Sequence, residues 1–190
     1  MTIKNLIADY PDFPKKGILF RDMFPILRDP ESTNLMLEEL LIFSNELKPD
    51  YIIGIESRGF IIGTALATKQ KIGFIPIRKK GKLPGQVAGV NYSLEYGEDR
   101  LEIQYDVFKK GAKVLLVDDL LATGGTVKAS SELIEKIEGN LVGCAFVIEL
   151  LGLNGRQNIP NVPIKSLISY DWIKIVSKLN QLKNNQLENN

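Results

Sequence analysis

The sequence predicts an α/β fold built on a central, mostly parallel sheet flanked by helices, and three observations carry that expectation. Val114-Leu115-Leu116-Val117 is a run of four apolar residues, the pattern of a strand buried on both faces. An apolar periodicity by threes and fours follows at Val127, Leu133, Ile134 and Ile137, with the small Ser130 in step, so a helix succeeds that strand. The same order occurs earlier in the chain. Residues 51–55 read as a buried strand, Ser57-Arg58-Gly59 opens a helix through Phe60, Ile61, Leu66 and Ala67, and residues 73–77 form the next strand.

The remaining elements follow in order within a single domain, 1–190. Pro11, Pro14 and Lys16-Gly17 punctuate the start, so residues 1–24 are expected to be an ordered but irregular lead-in. Asp29-Pro30 marks a helix start, an N-cap acid followed by proline at the first helical position. Leu37, Leu40, Leu41 and Leu47 line one face of that helix, and Pro49 stops it. From Arg78 to Arg100 the periodicity gives way to Lys79, Lys80, Gly81, Lys82, Pro84, Gly85, Gly89 and Gly97. A long segment of this kind inside a compact domain is functional or disordered. Its alternating Tyr92 and Tyr96 predict a mobile hairpin, 79–100, able to fold over a ligand. Strands are expected at 101–104, 113–117, 141–150 and 164–169. Gly139 is available to end the helix that begins near Thr126, residues 171–182 read as a short helix, and the Asn-rich end, 183–190, as a frayed tail.

Composition narrows the function classes. The chain has 190 residues, 44% hydrophobic and 25% charged, enough for one well-buried core. Its net charge of +1 gives no reason to expect nucleic-acid binding. The single cysteine, Cys144, excludes an internal disulfide and reads as a core residue. Glu149 interrupts the apolar run 141–153, and the first residues lack an apolar targeting core, so no membrane span and a cytoplasmic location are expected. The chain has no histidine, which removes His-based nucleophile systems and zinc sites. Proton transfer near neutrality then falls to a tuned carboxylate, a lysine, a tyrosine or the substrate. Neither a Walker A sequence nor Gly-x-Gly-x-x-Gly occurs.

Three patches carry the chemistry. After Val117 come Asp118 and Asp119, then Leu120-Leu121, then the small-residue loop Ala122-Thr123-Gly124-Gly125-Thr126 leading into the helix. The glycines let backbone approach a phosphate, the helix N-terminus attracts it, and carboxylates suit ribose hydroxyls with or without a bridging magnesium. A bland βα turn is the alternative, but paired acids with this loop directly after a buried strand favour a phosphorylated sugar. Arg58, at a second strand-to-helix turn, is a guanidinium beside open N–H groups, suited to an anion. Arg78, Lys79, Lys80 and Lys82 are either a solvated face or the neutralising cluster for a diphosphate leaving group. Glu95 in the hairpin, buried on closure, is a carboxylate able to exchange a proton with a nitrogen heterocycle.

The strand and loop 114–126 resemble the phosphoribosyl-diphosphate signature of the type I phosphoribosyltransferases. The stretches Asp12-Phe13-Pro14, Gly17-Ile18-Leu19-Phe20-Arg21-Asp22, Ser57-Arg58-Gly59-Phe60, Arg78–Gly85 and Tyr92-Ser93-Leu94-Glu95-Tyr96-Gly97 extend the resemblance, over about residues 9–170, to the adenine phosphoribosyltransferases. The departures are Glu56, where relatives often have Asp, and Gln104, where they often have histidine.

That resemblance implies a type I phosphoribosyltransferase fold with residues 1–28 as a base-recognition hood. It implies a glycosyltransferase of purine salvage making AMP and diphosphate from adenine and 5-phosphoribosyl 1-diphosphate. Magnesium is carried by the diphosphate, with no direct protein metal ligand assigned, and a homodimer is implied. Carried over by position, Ala122, Thr123, Gly124, Gly125 and Thr126 hold the 5′-phosphate, and Asp118 and Asp119 the ribose hydroxyls. Arg58, Arg78, Lys79 and Lys82 face diphosphate. Phe20 and Leu120 sandwich the base, Leu19 and Arg21 read its edge through backbone groups, and Glu95 with Tyr96 closes over the reacting centre. A cis Glu56–Ser57 bond is also implied.

Two other readings remain at this level. One keeps the fold and takes hypoxanthine, guanine, xanthine or orotate as acceptor. The other is a regulator that senses phosphoribosyl diphosphate and binds nucleic acid, which would call for a further basic or helix-turn-helix domain.

Overall fold

A computed structural model describes residues 3–94 and 97–171. Its core is a seven-stranded sheet in the order β5-β6-β4-β3-β7-β8-β9. The strands are β3 (Tyr51–Ile55), β4 (Gly73–Lys79), β5 (Val87–Leu94), β6 (Gly97–Gln104), β7 (Lys113–Leu121), β8 (Asn140–Leu150) and β9 (Ile164–Tyr170). The neighbours β4-β3-β7-β8-β9 run parallel, while β6 and β5 add an antiparallel edge. A separate antiparallel pair, β1 (Ala8–Pro11) and β2 (Leu19–Asp22), precedes the sheet.

The helices α1 (Phe24–Arg28), α2 (Pro30–Leu47), α3 (Arg58–Gln70) and α4 (Gly125–Lys136) complete the fold. The sheet has a core on each face. Leu115 and Val117 pack with Ile52, Met36, Leu40, Ile62 and Leu66 from the side of α2 and α3. Val114 and Leu116 pack with Ile53, Phe146, Leu133 and Ile134 on the α4 side. That two-sided burial is why the strand reads as an unbroken apolar run rather than an alternating one.

α2 starts where Asp29-Pro30 predicts, with the Asp29 side chain accepting from the Ser32 N–H at 3.0 Å. It ends with Lys48 in a left-handed conformation just before Pro49. Its buried stripe is Met36, Leu37, Leu40 and Ser44, so Leu41 and Leu47 lie at the edge of the face rather than at its centre.

Four expectations need correction. The lead-in is not irregular. Its β1–β2 hairpin is too short to show a period, and it turns through Asp12 (φ 58°), a cis Phe13–Pro14 bond and Gly17 (φ 89°). β7 does not stop at Val117 but runs to Leu121, paired with β8, so both acids lie on the strand. Residues 101–104 are not a separate strand but the far arm of the β5–β6 hairpin, which pairs from Val87↔Gln104 to Leu94↔Gly97, while Lys79 belongs to β4. The left-handed residue after α4 is Glu138 (φ 63°), not Gly139. Gly139 is there for space, because a Cβ would stand 2.7 Å from the Phe108 ring. Within the expected helix 171–182, residues from 172 on lie outside the described residues, as does the tail 183–190.

Candidate active site

β3 pairs with β7 only as far as Gly54↔Val117, so beyond Val117 β7 continues beside β8 alone. The flank of β7 toward β3 is thereby left open at its C-terminal end, where α/β sheets take ligands. The first turn of α3 packs against this point. A Cβ on Gly59 would lie 2.8 Å from the Val117 carbonyl oxygen and 2.9 Å from Asp118 Oδ1, so only glycine permits the approach. The approach puts Arg58 Nε 2.9 Å from Asp119 Oδ2. That contact is ionic without hydrogen-bond alignment, and Asp119 Oδ2 is a buried acceptor with no hydrogen bond. Asp118 Oδ1 accepts from the Asp119 N–H at 2.9 Å. Burial pushes the Asp118 carboxyl well above the usual carboxylate range, and Asp119 beside it adds to the push. Asp119 is raised by burial too, against the pull of Arg58. The Glu56–Ser57 bond just before α3 is cis, as the resemblance implies.

The loop Ala122–Thr126 borders a cleft with Asp118 and Leu120. Gly124 is left-handed (φ 80°, ψ 0°) and caps α4. Three successive carbonyls are turned to protein. Ala122 O packs at Gly155, Thr123 O accepts from Asn158 Nδ2 at 2.7 Å, and Gly124 O accepts from the Lys128 N–H at 2.9 Å. Among the described residues, no hydrogen bond engages the N–H groups of Thr123 or Gly124. Free amide donors at a helix N-terminus make an anion site. The sequence-level reason for Gly124 changes, however. The position of its Cβ faces not a ligand but the Gly155 carbonyl oxygen, 2.3 Å away.

The four cations assigned to diphosphate all have carboxylate partners. Arg58 meets Asp119. Glu56 accepts from Arg78 Nη2 at 3.0 Å, Arg78 Nε at 3.3 Å, Lys82 Nζ at 3.0 Å and the Lys79 N–H at 3.2 Å. The Lys79 ammonium lies 3.1 Å from Asp99 Oδ2. Hydrogen bonds from Arg78, with help from Lys82, hold the Glu56 carboxyl down at about 2.

The hood and hairpin reach the same place. The Arg58 guanidinium lies 5.2 Å from the centre of the Phe20 ring, so Phe20, Arg58 and Asp119 follow one another from the hood to the acid pair. Leu19 and Arg21 flank Phe20 on β2. The Arg21 side chain turns away, stacked 3.4 Å from the centre of the Tyr170 ring and bonded to Asp9 at 2.7 Å. From β5, the Tyr92 hydroxyl donates to Asp99 Oδ2 at 3.3 Å and lies beside Thr126. Burial, then Asp99, raises its pKa and keeps it protonated. Glu95 and Tyr96 lie outside the described residues. Gln104 Nε2 donates to the Pro84 carbonyl at 3.0 Å, a strap at the base of the hairpin.

Sequence reasoning missed Glu56 as the anchor of the cations, Asp99, and the Gly155–Asn158 turn behind the loop. Glu149 carried a legible signal. A carboxylate in an apolar run needs a partner, and Arg156 supplies one with two contacts of 2.6 Å.

Comparison with known proteins agrees with this geometry. The phosphoribosyl transferase domain model matches residues 36–182. Adenine phosphoribosyltransferase of Prochlorococcus marinus is 63% identical over 171 residues, 90% of this chain and 99% of that protein. The Thermoanaerobacter pseudethanolicus adenine phosphoribosyltransferase structure superposes with a TM-score of 0.86 at 45% identity, covering 88% of this chain and 98% of that one. The Saccharomyces cerevisiae enzyme, solved with adenine and an imino-altritol bisphosphate, gives 0.84 at 43% identity over 87% of this chain and 96% of that one. With an acid pair, a phosphate-type loop and a cation cluster on one sheet end, and with relatives this similar over almost their whole length, the chain belongs to the adenine phosphoribosyltransferases.

Proposed function

We infer that this chain is a glycosyltransferase of purine salvage that moves the phosphoribosyl group of 5-phosphoribosyl 1-diphosphate to adenine, releasing AMP and diphosphate. One observation carries the reading: Asp118 and the Ala122–Thr126 loop, with the unengaged N–H groups of Thr123 and Gly124, line one cleft at the open end of β7, where Asp119 follows Asp118 on the strand.

In this reading the loop and the α4 N-terminus hold the 5′-phosphate, and Asp118 and Asp119 accept from the ribose hydroxyls. Asp119 Oδ2 makes no hydrogen bond and is held only by its ionic contact with Arg58, which leaves accepting capacity on that carboxylate. Arg58, Arg78, Lys79 and Lys82 take the charge that grows on diphosphate as the C1–oxygen bond breaks. Phe20 and Leu120 sandwich adenine, the Leu19 carbonyl accepts from its 6-amino group, and the Arg21 N–H donates to N1. The C1–nitrogen bond forms as the purine proton leaves to Glu95, and Glu95 with Tyr96 shields the oxocarbenium-like centre from water.

Among the described residues no cluster of three or more ligating side chains could cage a metal. Magnesium carried by the diphosphate would supply charge neutralisation, and the carboxylates of Asp118 and Asp119 have the hard oxygen chemistry that suits it. Among the described residues no helix is long and apolar enough to cross a membrane. A cytoplasmic location accords with the salvage role. Phe24, Leu35, Ile42 and Ile61, on α1, α2 and α3, are exposed apolar side chains available to a homodimer contact. Diphosphate release measured with adenine, hypoxanthine, guanine, xanthine and orotate tests the reading: turnover with adenine is expected, and its absence refutes it.

A further inference from the structure

The 122–126 loop is shaped from behind by the short Gly155–Asn158 turn, which none of the assigned roles uses. The contact is backbone against backbone. A Cβ on Gly124 would stand 2.3 Å from the Gly155 carbonyl oxygen, and a Cβ on Gly155 would stand 2.3 Å from that of Ala122. Asn158 ties the Thr123 carbonyl at 2.7 Å. The turn is itself pinned to the sheet. Arg156 grips Glu149 through two bonds of 2.6 Å, and the Glu149 side chain is 4% exposed. Glu149 is the register partner of Leu121, the last residue of β7 before the loop. The frame therefore closes on itself: β7, the loop, the turn, Arg156, Glu149 and back to β7.

We propose that Gly155, Arg156 and Asn158 are positioning residues for the 5′-phosphate of the donor. The proposal rests on the reading of 122–126 as the phosphate loop. Backbone can bind an anion only if its N–H groups converge and its carbonyls point elsewhere. Here Asn158 holds the Thr123 carbonyl on the far side, the bare Gly155 leaves room for the Ala122 carbonyl beside it, and the bare, left-handed Gly124 leaves room for the Gly155 carbonyl. The loop is thus set before ligand arrives, so the donor need not order it.

The test is calorimetric titration of the full-length protein with ribose 5-phosphate, diphosphate and adenine as separate probes. Asn158→Leu removes the tie to Thr123 without adding charge. It should weaken ribose 5-phosphate by about 2- to 10-fold, the scale of one hydrogen bond, and leave diphosphate and adenine unchanged. Gly155→Ala pushes directly on Ala122 and should weaken the same probe more; if it fails to fold, Asn158→Leu alone decides. Unchanged ribose 5-phosphate affinity, or equal loss for all three probes, would overturn the proposal. Thr126→Val, which removes a hydroxyl of the loop itself, separates the two ideas. Loss of ribose 5-phosphate affinity there but not in Asn158→Leu would sink the positioning role and keep the loop, whereas no loss in either would sink both.

Discussion

Replacing Glu56 by Gln tests whether a carboxylate assembles the cation cluster before ligand arrives. The Glu56 side chain is 12% exposed and accepts from Arg78, Lys82 and the Lys79 N–H. Hydrogen bonding from Arg78 is the main reason its pKa falls from an ordinary 4.5 to about 2. A folded-state pKa below the unfolded value means that the ionised group stabilises the fold fully above about 4.5, and that the gain is lost as pH falls through about 2. A shift of that size corresponds to about 3 kcal/mol. Arg78 and Lys82 are 31% and 50% exposed, however, so solvent screens both partners. We therefore expect about 1–2 kcal/mol. Urea unfolding near neutral pH should show Glu56→Gln less stable by that amount. The gap should close as pH falls from about 4.5 toward about 2, where wild type gives up a charge the variant never carried. No difference at neutral pH, or a gap that stays constant through the acid range, would refute the anchoring role.

Glu95→Gln keeps the shape of the side chain and removes its charge, so kcat should fall by about 10²–10⁴-fold while calorimetric binding of the donor changes little; a kcat within a few-fold of wild type would leave Glu95 only a structural part in the hairpin. For adenine against hypoxanthine, kcat/KM should differ by about 10⁴-fold or more, because the 6-oxopurine sets carbonyl against carbonyl and N–H against N–H; comparable efficiencies would undo the base-reading scheme and leave the fold standing. Gly124→Ala should destabilise the fold by more than about 1 kcal/mol in thermal or urea unfolding, since it combines a left-handed φ of 80° with a Cβ 2.3 Å from the Gly155 oxygen; wild-type stability would show that the loop shifts freely.

Much of this fold was legible because local signals and burial agree. Val114–Val117 is apolar throughout because the sheet is covered on both faces, and Asp29-Pro30 starts α2 because cap and proline suit the same backbone. The hood was misread for the opposite reason. Four-residue strands are too short to carry a legible period, and their pairing is fixed by turns whose shape no residue pattern announces. The site divides in the same way. Residues whose chemistry is carried by a local motif, such as Asp118, Asp119 and the loop, stand out in the sequence. Residues that act through distant partners do not: Glu56 is 22 positions from Arg78, and Asn158 is 35 from Thr123. The role of Gly124 was inverted because glycine marks a close approach without saying to what, and here the neighbour is the Gly155 backbone.

The pairing of each assigned cation with a carboxylate bears on how such a site could turn over. Four positive groups without partners would hold diphosphate strongly, and diphosphate is a product as well as part of the donor. With Glu56, Asp99 and Asp119 in contact, the cations are already partly neutralised and oriented, so an incoming diphosphate gains only the difference between its own oxygens and those of the protein. That difference is greatest when the bond to C1 breaks and charge builds on the leaving oxygens, which favours the transition state over bound substrate. When diphosphate departs, the carboxylates are at hand to take the cations back. On this reading the acids around the cluster belong to its chemistry as much as the lysines and arginines do, and Glu56, which holds two of the four cations with one side chain, is the residue through which that balance is set.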